Sequence, residues 1–482
     1  MLRAAAATAA ATAAACLTLL QRNYDATENE PLAPGGSVVV VGAGVVGGGV
    51  VGFVGAGVVG VSTADELSRR GFRVTVLEAS PGIAGAASAS HGNACTLGVS
   101  GKWQSLADAA TLLATLRAAS PSPGAAPPPP DAPFETRHAF HATNKFVDAS
   151  VLGDPWFYAW GLAMLKGLAA GAPAMEAAWR ASNEAAQRAL IARAADVGFR
   201  GIRVDGSEKV RFAPGAASRA TREACAAASP VAAAAAHPED GRGDCAAYAR
   251  ALAADCRRRE VNFVFGAAAS ALEIDADGAV EAVRCSDGRA FAADRVVVCA
   301  GAATPTLLRS AGLYAPVQPL RGYSITARVT APGAVEASLV CAPYSLYATR
   351  VDDATVRFTC YGELVAVADA AGAHAGLERR LRALVAHALP AADAWCDWRS
   401  RPVWSGSRPT TPDCCPLVGP TRVPRLFLNT GHSFNGWRES TQTAAHLAAL
   451  VAGDESPAGA YRAAWDPARF APFHPRYTYK IK

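Results

Sequence analysis

The sequence predicts an α/β protein: a doubly wound nucleotide-binding unit interleaved with an α+β unit that carries a large mixed or antiparallel sheet. Three observations predict it. An apolar strand, a glycine turn, a helix, a second strand and an acid follow one another near the N-terminus. A buried-strand pattern, Asp294-Arg295-Val296-Val297-Val298-Cys299-Ala300-Gly301-Ala302, returns far downstream and runs into small residues, as needed where backbone approaches a flat ligand. Between the two lie helical spacings followed by period-two strands, the pattern of a separate α+β unit.

The elements follow in order. Met1 to Tyr24 is rich in Ala and Thr, carries Arg3 and Arg22 and has no acid, the composition of an organelle transit peptide for plastid or mitochondrion; Ala4 to Leu20 also resembles a secretory core, and a tail without an address is the bland alternative. Asp25 to Gly36 is a polar linker. Two glycine motifs then stand 13 positions apart, Gly42-Ala43-Gly44-Val45-Val46-Gly47 and Gly55-Ala56-Gly57-Val58-Val59-Gly60. Such glycines let the backbone turn tightly against a pyrophosphate, the helix N-terminus offers N–H groups to its charge, and an acid roughly 20 residues on accepts ribose hydroxyls. Glu78 lies 78 − 55 = 23 residues beyond the second copy and 78 − 42 = 36 beyond the first. The second copy is in register. The first has the better strand, Ser37 to Val41, but its use would lengthen the helix by about 20 Å. On this reading residues 41–53 are a tandem duplication that bulges out. The uncharged run Ser37 to Ser62 is long enough to cross a bilayer, yet its glycine density opposes a stable lone helix.

Ala107 to Ala118 reads as a short helix and Pro121 to Pro133 as an exposed spacer. Helical spacing returns at Trp156–Leu168 and Ala174–Val197, with strand-like pieces at Gly201–Val204 and Lys209–Phe212. Trp156, Phe157, Tyr158 and Trp160 read either as core or as a pocket wall. A helix at Cys245–Arg259, a strand at Val261–Phe265 and a hairpin at Asp277-Gly278 precede the Arg295 strand. Alternating strands cover Pro316 to Arg401, and a final piece ends in a helix at Ser440–Val451. The resulting division is 1–36, transit-like segment and linker; 37–106, 237–315 and 404–455, nucleotide domain; 107–236 (with the insertion 121–133) and 316–403, substrate domain; 456–482, tail.

At 482 residues, with 51% hydrophobic and 18% charged residues, the chain has room for two or three domains. Its net charge of +5 is dispersed, so no nucleic-acid partner is indicated. Twelve cysteines occur without a CxxC pair, which gives no metal site and fits a reduced compartment.

The C-terminal segment contains Gly406-Ser407-Arg408-Pro409-Thr410-Thr411-Pro412-Asp413-Cys414-Cys415-Pro416-Leu417-Val418-Gly419 and Gly431-His432-Ser433-Phe434-Asn435-Gly436-Trp437. With the N-terminal fingerprint, the Ser90-His91-Gly92-Asn93-Ala94 loop and Pro319-Leu320-Arg321-Gly322-Tyr323-Ser324, the chain resembles the FAD-dependent D-amino-acid oxidase superfamily. It looks most like the small subunit of bacterial D-amino-acid dehydrogenases, with glycine and sarcosine oxidases as cousins. The resemblance implies a Rossmann-like FAD-binding domain. It implies that Gly55, Gly57, Gly60 and Glu78 hold the ADP half of FAD, that Ser90, Asn93 and Ala94 run along the pyrophosphate and isoalloxazine, that Ala300 and Gly301 close over the cofactor, and that Gly431, Asn435 and Gly436 pass beside the ring.

Arg408 corresponds to the arginine that holds the substrate carboxylate, a role its planar fork suits; pairing with Asp413 is the structural alternative. Tyr344 and Tyr347 are candidates for a phenol over the ligand or for core, as is Tyr323, and His432 is the nearest titratable group. The implied reaction oxidises a D-amino acid or related amine acid to the imino acid by hydride transfer to flavin, without a strong general base, and passes electrons to oxygen or a quinone. Two departures stand out. Arg438 and Glu439 follow Trp437 where the family has small residues, and Cys95 takes a place usually given to glycine. The Arg438-Glu439 segment and the disrupted glycine stretch leave open a catalytically degenerate flavoprotein acting as a binding or assembly partner.

Overall fold

The computed structural model describes residues 30–41, 55–99, 123–169, 173–210, 234–331, 335–336 and 338–470. The N-terminal segment, the first glycine copy with the run through Val54, and the helix expected at Ala107–Ala118 lie outside them.

Ser37–Val41 is the centre of a six-stranded sheet, between Arg73–Glu78 and Arg295–Val298 and parallel to both. Asn262–Phe265 lies beyond the first neighbour; Leu426–Thr430 and then antiparallel Leu417–Pro420 lie beyond the second. A central parallel strand is covered on both faces, which is why it reads as an unbroken valine run. Val38 and Val40 pack with the helix Val58–Arg69, whereas Val39 and Val41 pack against the opposite face with Leu272, Val283 and Leu307.

The strand that enters the sheet precedes the first glycine copy, and the helix that leaves it, Val58–Arg69, follows the second. Val41 stands opposite Leu77, and the Gly55 N–H donates to the Leu77 carbonyl at 3.0 Å. Both ends of the 42–54 segment therefore meet at one rung of the ladder, with Gly55 placed as the natural successor of Val41.

The second sheet has the path Val403–Thr410, Gln318–Arg328, Thr355–Leu364, Leu346–Arg350, Ser338–Cys341, Ser207–Val210, Ala234–His237, with Lys145–Val147 pairing beside Thr355–Leu364. Two expectations change here. Val403–Thr410, which the sequence reading assigns from Trp404 onward to the nucleotide domain, pairs along its length with Gln318–Arg328. The stretch read as strands alone contains the helix Ala375–Ala388, whose Leu377, Leu381, Leu384 and Val385 repeat at helical spacing and bury against this sheet.

Ion pairs fix the units. The buried Asp65 of the Val58–Arg69 helix accepts two bonds from Arg193, at 2.8 and 2.7 Å, tying it to the helix Pro173–Asp196.

Candidate active site

The glycine turn is built by exclusion. A Cβ on Gly60 would lie 1.8 Å from the Gly55 carbonyl oxygen, so only glycine lets the helix start so close to the turn. Gly57 precedes the first helical residue and no side chain caps it, while the Val58 N–H donates to the Ser90 hydroxyl at 3.0 Å. Behind the turn, Glu78 accepts from the Ala56 N–H at 2.6 Å and the Ser80 N–H at 2.7 Å. Burial pushes its carboxyl up to about 7 against those bonds. This cradle fits the ADP half of FAD: a tight turn, a helix N-terminus for the pyrophosphate and a buried acid with lone pairs left for a ribose.

From that turn a cavity of about 780 Å³ runs between the two sheets. It brings together Gly57, Gly60, Ser90, Asn93, Ala94, Gly301, Tyr347, Arg408, Gly431, His432, Asn435 and Gly436. Gly55, Glu78 and Ala300 do not line it, although Ala300 stands between the lining residues Cys299 and Gly301. Gly301 and Gly431 have φ of +52° and +73°, and a Cβ on Gly431 would come within 2.7 Å of Thr411. The helix Gly436–Ala452 begins at the cavity four residues before its expected start, because Gly436 to Glu439 continue the helical turn; Asn435 precedes it without a side-chain cap bond. Cys95 takes φ +59°, the conformation that explains glycine as the usual occupant.

Arg408 lies at the other end. Its guanidinium crosses Gly322 on the neighbouring strand, where a Cβ would be 2.4 Å from Nη1. Nη1 donates to the Tyr361 carbonyl at 3.2 Å, and the Phe434 ring stands 5.6 Å away. Tyr361 is buried at φ +67°, in the irregular stretch where the strand slips register against Arg321 and Tyr323. Among the described residues no carboxylate pairs with Arg408, and Asp413 is bound instead by Arg469 at 2.7 and 3.0 Å. The Asp413 alternative is therefore excluded. Burial draws the guanidinium below its usual range, which favours an anionic ligand at this point.

The tyrosines separate. Tyr347 lines the cavity and feels the Arg408 charge. Tyr344 does not reach it: the buried hydroxyl bridges His138 at 2.8 Å and His387 at 3.0 Å, so the catalytic expectation for Tyr344 is replaced by a core role. Tyr323 is likewise core, donating to the buried Glu363 at 2.7 Å. His432 faces the cavity, but burial lowers it to about 3, so it stays neutral. His432 Nε2 shares a hydrogen bond of 3.1 Å with the Thr443 hydroxyl, which also reaches the Glu439 carbonyl at 3.0 Å. Of the aromatic cluster, Trp160 lines the cavity while Phe157 is core and Trp156 stacks on Tyr314. Arg438 lines the cavity but its guanidinium is engaged by protein groups, donating to the Gly98 carbonyl, to Asn183 at 2.6 Å and to Glu439.

The sequence reading missed Lys145, Lys209, Tyr361 and Trp404 as cavity residues. One signal was present: a glycine inside an alternating strand, Gly322, marks close approach by another group.

The FAD-dependent oxidoreductase family model matches residues 53–450, beginning two residues before the second glycine copy. The chain belongs to that family. Its cofactor is FAD. The D-amino acid dehydrogenase of Sinorhizobium medicae is 38% identical over 215 residues, 44% of this chain and 50% of that protein, and that of Methylobacterium nodulans is 37% identical over 219 residues, 45% and 50%. The chain spans about half the length of the relatives it matches. Two solved structures share its fold. Glycine oxidase from Geobacillus kaustophilus has a TM-score of 0.59 at 18% identity, covering 88% of this chain and 96% of the other. L-proline dehydrogenase from P. horikoshii has 0.56 at 16%, covering 91% and 98%.

Proposed function

We propose that the protein oxidises a D-amino acid, or a related amine acid, to its imino acid, which water converts to the 2-oxo acid and ammonia. The observation that carries this reading is Arg408, a guanidinium without a carboxylate partner among the described residues, in the cavity that the FAD cradle opens into. FAD, when bound, supplies the two-electron acceptor. The chain's own residues bind and orient. Arg408 offers a planar carboxylate two charge-assisted bonds, and the wall formed by Gly322 and Tyr361 holds the fork in place. Neutral His432 serves as a fixed hydrogen-bonding group, since it gains no proton near pH 7. Tyr347 and Phe434 line the space around the ligand.

Oxygen or a quinone takes the electrons onward, and an organelle is the proposed location, supported by the basic, acid-free composition of the N-terminal residues. Anaerobic mixing of the yellow protein with D-amino acids tests the reaction: the flavin band should bleach. Arg408→Ala should keep the flavin and lose two bonds to a charged group, about 3 kcal/mol or more, hence roughly 10²-fold in kcat/KM. An Arg408→Ala protein bleached as fast as the original removes the carboxylate assignment.

A further inference from the structure

We infer that the substrate is an amino acid bearing a second carboxylate, and that Lys145 selects for it. This inference rests on the amino-acid reading of the same cavity. The Arg408 guanidinium lies over Gly322, and the next strand presents Tyr361 and Gly362 beside it. Gly362 pairs in turn with Lys145 on the strand beyond. Strands stand about 4.8 Å apart, so the Lys145 backbone is about 10 Å from the strand beneath the guanidinium, and an extended lysine covers much of that distance. Both side chains line the one cavity.

Cys360, on the Thr355–Leu364 strand, lines the same cavity; burial raises its thiol, and the Lys145, Arg408 and Arg380 charges act against that rise. Lys145 is exposed and makes no ion pair among the described residues, which fits a place at the cavity mouth. Asp240 is the one acid among the described lining residues, and its oxygens are engaged by the Val99 N–H at 2.8 Å and the Ser207 hydroxyl at 2.6 Å. Four cations, Lys145, Lys209, Arg408 and Arg438, line the cavity with Asp240 as the acid among the described lining residues, an excess that matches a ligand with anionic groups at both ends: one carboxylate on the Arg408 fork, the other on the Lys145 ammonium. A neutral side chain of equal length leaves that ammonium with water alone.

The second carboxylate can sit on the side chain or on the amine, and the experiment separates the two. FAD-loaded protein is mixed anaerobically with D-glutamate, D-aspartate, iminodiacetate, D-glutamine and D-norvaline, and flavin bleaching is followed. The expected result is kcat/KM at least tenfold higher for one of the dicarboxylates than for D-glutamine and D-norvaline; whether the glutamate or the iminodiacetate arm leads identifies where the second carboxylate sits. Lys145→Met should remove that advantage through KM while leaving the neutral substrates within about twofold and the flavin bound. Lys145→Glu should invert it. D-norvaline turned over as well as the dicarboxylates, or a ratio unchanged in Lys145→Met, overturns the inference while the amino-acid reading stands. Failure of every amino acid to bleach the flavin overturns both.

Discussion

The sharpest consequence of the glycine geometry concerns Gly60. Replacing it with alanine places a Cβ 1.8 Å from the Gly55 carbonyl oxygen, where real contacts do not fall below 3.0 Å. Helix and turn must then part by at least 3.0 − 1.8 = 1.2 Å. Gly55 cannot step back freely, because its N–H holds the Leu77 carbonyl in the sheet ladder. The helix start carries the displacement instead, and with it the N–H groups that would face the pyrophosphate. Hydrogen bonds tolerate a few tenths of an ångström. Loss of two charge-assisted bonds at about 1.5–3 kcal/mol each gives ~3–6 kcal/mol, a rise in FAD Kd of roughly 10²- to 10⁴-fold. Flavin fluorescence during equilibrium titration of apoprotein reads this directly. The matched control, Gly47→Ala in the first copy, should bind FAD within about twofold of the parent. Retained affinity in Gly60→Ala together with loss in Gly47→Ala refutes the assignment of the cradle to the second copy.

Three further outcomes follow from the same structure. Because Val41 and Gly55 meet at one rung beside Leu77, deletion of residues 42–54 should leave a folded protein that binds FAD as tightly as the parent; an apoprotein that no longer takes up flavin contradicts this. Gly322→Ala would put a Cβ 2.4 Å from Arg408 Nη1, and since the flexible guanidinium can move aside, the melting temperature should change little while KM rises at least tenfold; unchanged KM removes the positioning role. Acid should destabilise the apoprotein. Burial holds His141 and His432 near 3 and His387 and His446 near 4, below the ordinary 6.5, so each contributes stability above pH 6.5 that fades as pH falls toward its folded value. Glu78 and Glu439, raised from 4.5 to about 7, act oppositely, so near pH 5 the unfolded chain binds a net 4 − 2 = 2 more protons. Stability should drop by on the order of 2–3 kcal/mol per pH unit there. Glu78→Gln, which removes an opposing group, should steepen the fall in melting temperature; a flat profile between pH 6.5 and 5 contradicts the account.

What the sequence made legible follows the range of the forces involved. The glycine turn, Glu78 and the valine strands were readable because their physics is local: a turn needs glycine and a doubly covered strand needs valine. Arg408 was readable by its chemistry, but its setting was not, since Gly322 and Tyr361 reach it only through strand pairing and a slip in register. Tyr344 was misread because a tyrosine beside a strand carries no mark of which way its hydroxyl faces; the histidines that claim it come from positions 138 and 387. The strand from Trp404 to Thr410 was misassigned for a related reason. A strand's sheet is decided by partners far away in the chain, and nothing in its own residues names them. Lys145 passed unnoticed as one lysine on a short strand, and only the pairing with Gly362 brings it to the cavity.

The central claim is that FAD lies from the second glycine turn to the helix start at Gly436, with the substrate carboxylate on Arg408. A crystal structure of the FAD-loaded protein with a carboxylate substrate analogue measures this most directly. The account predicts the pyrophosphate at Gly57 to Gly60, the flavin ring between Gly301 and Gly436, and the carboxylate within hydrogen-bond distance of both Arg408 amino groups. A flavin cradled by Gly42 to Gly47, or an analogue bound away from Arg408, would contradict it.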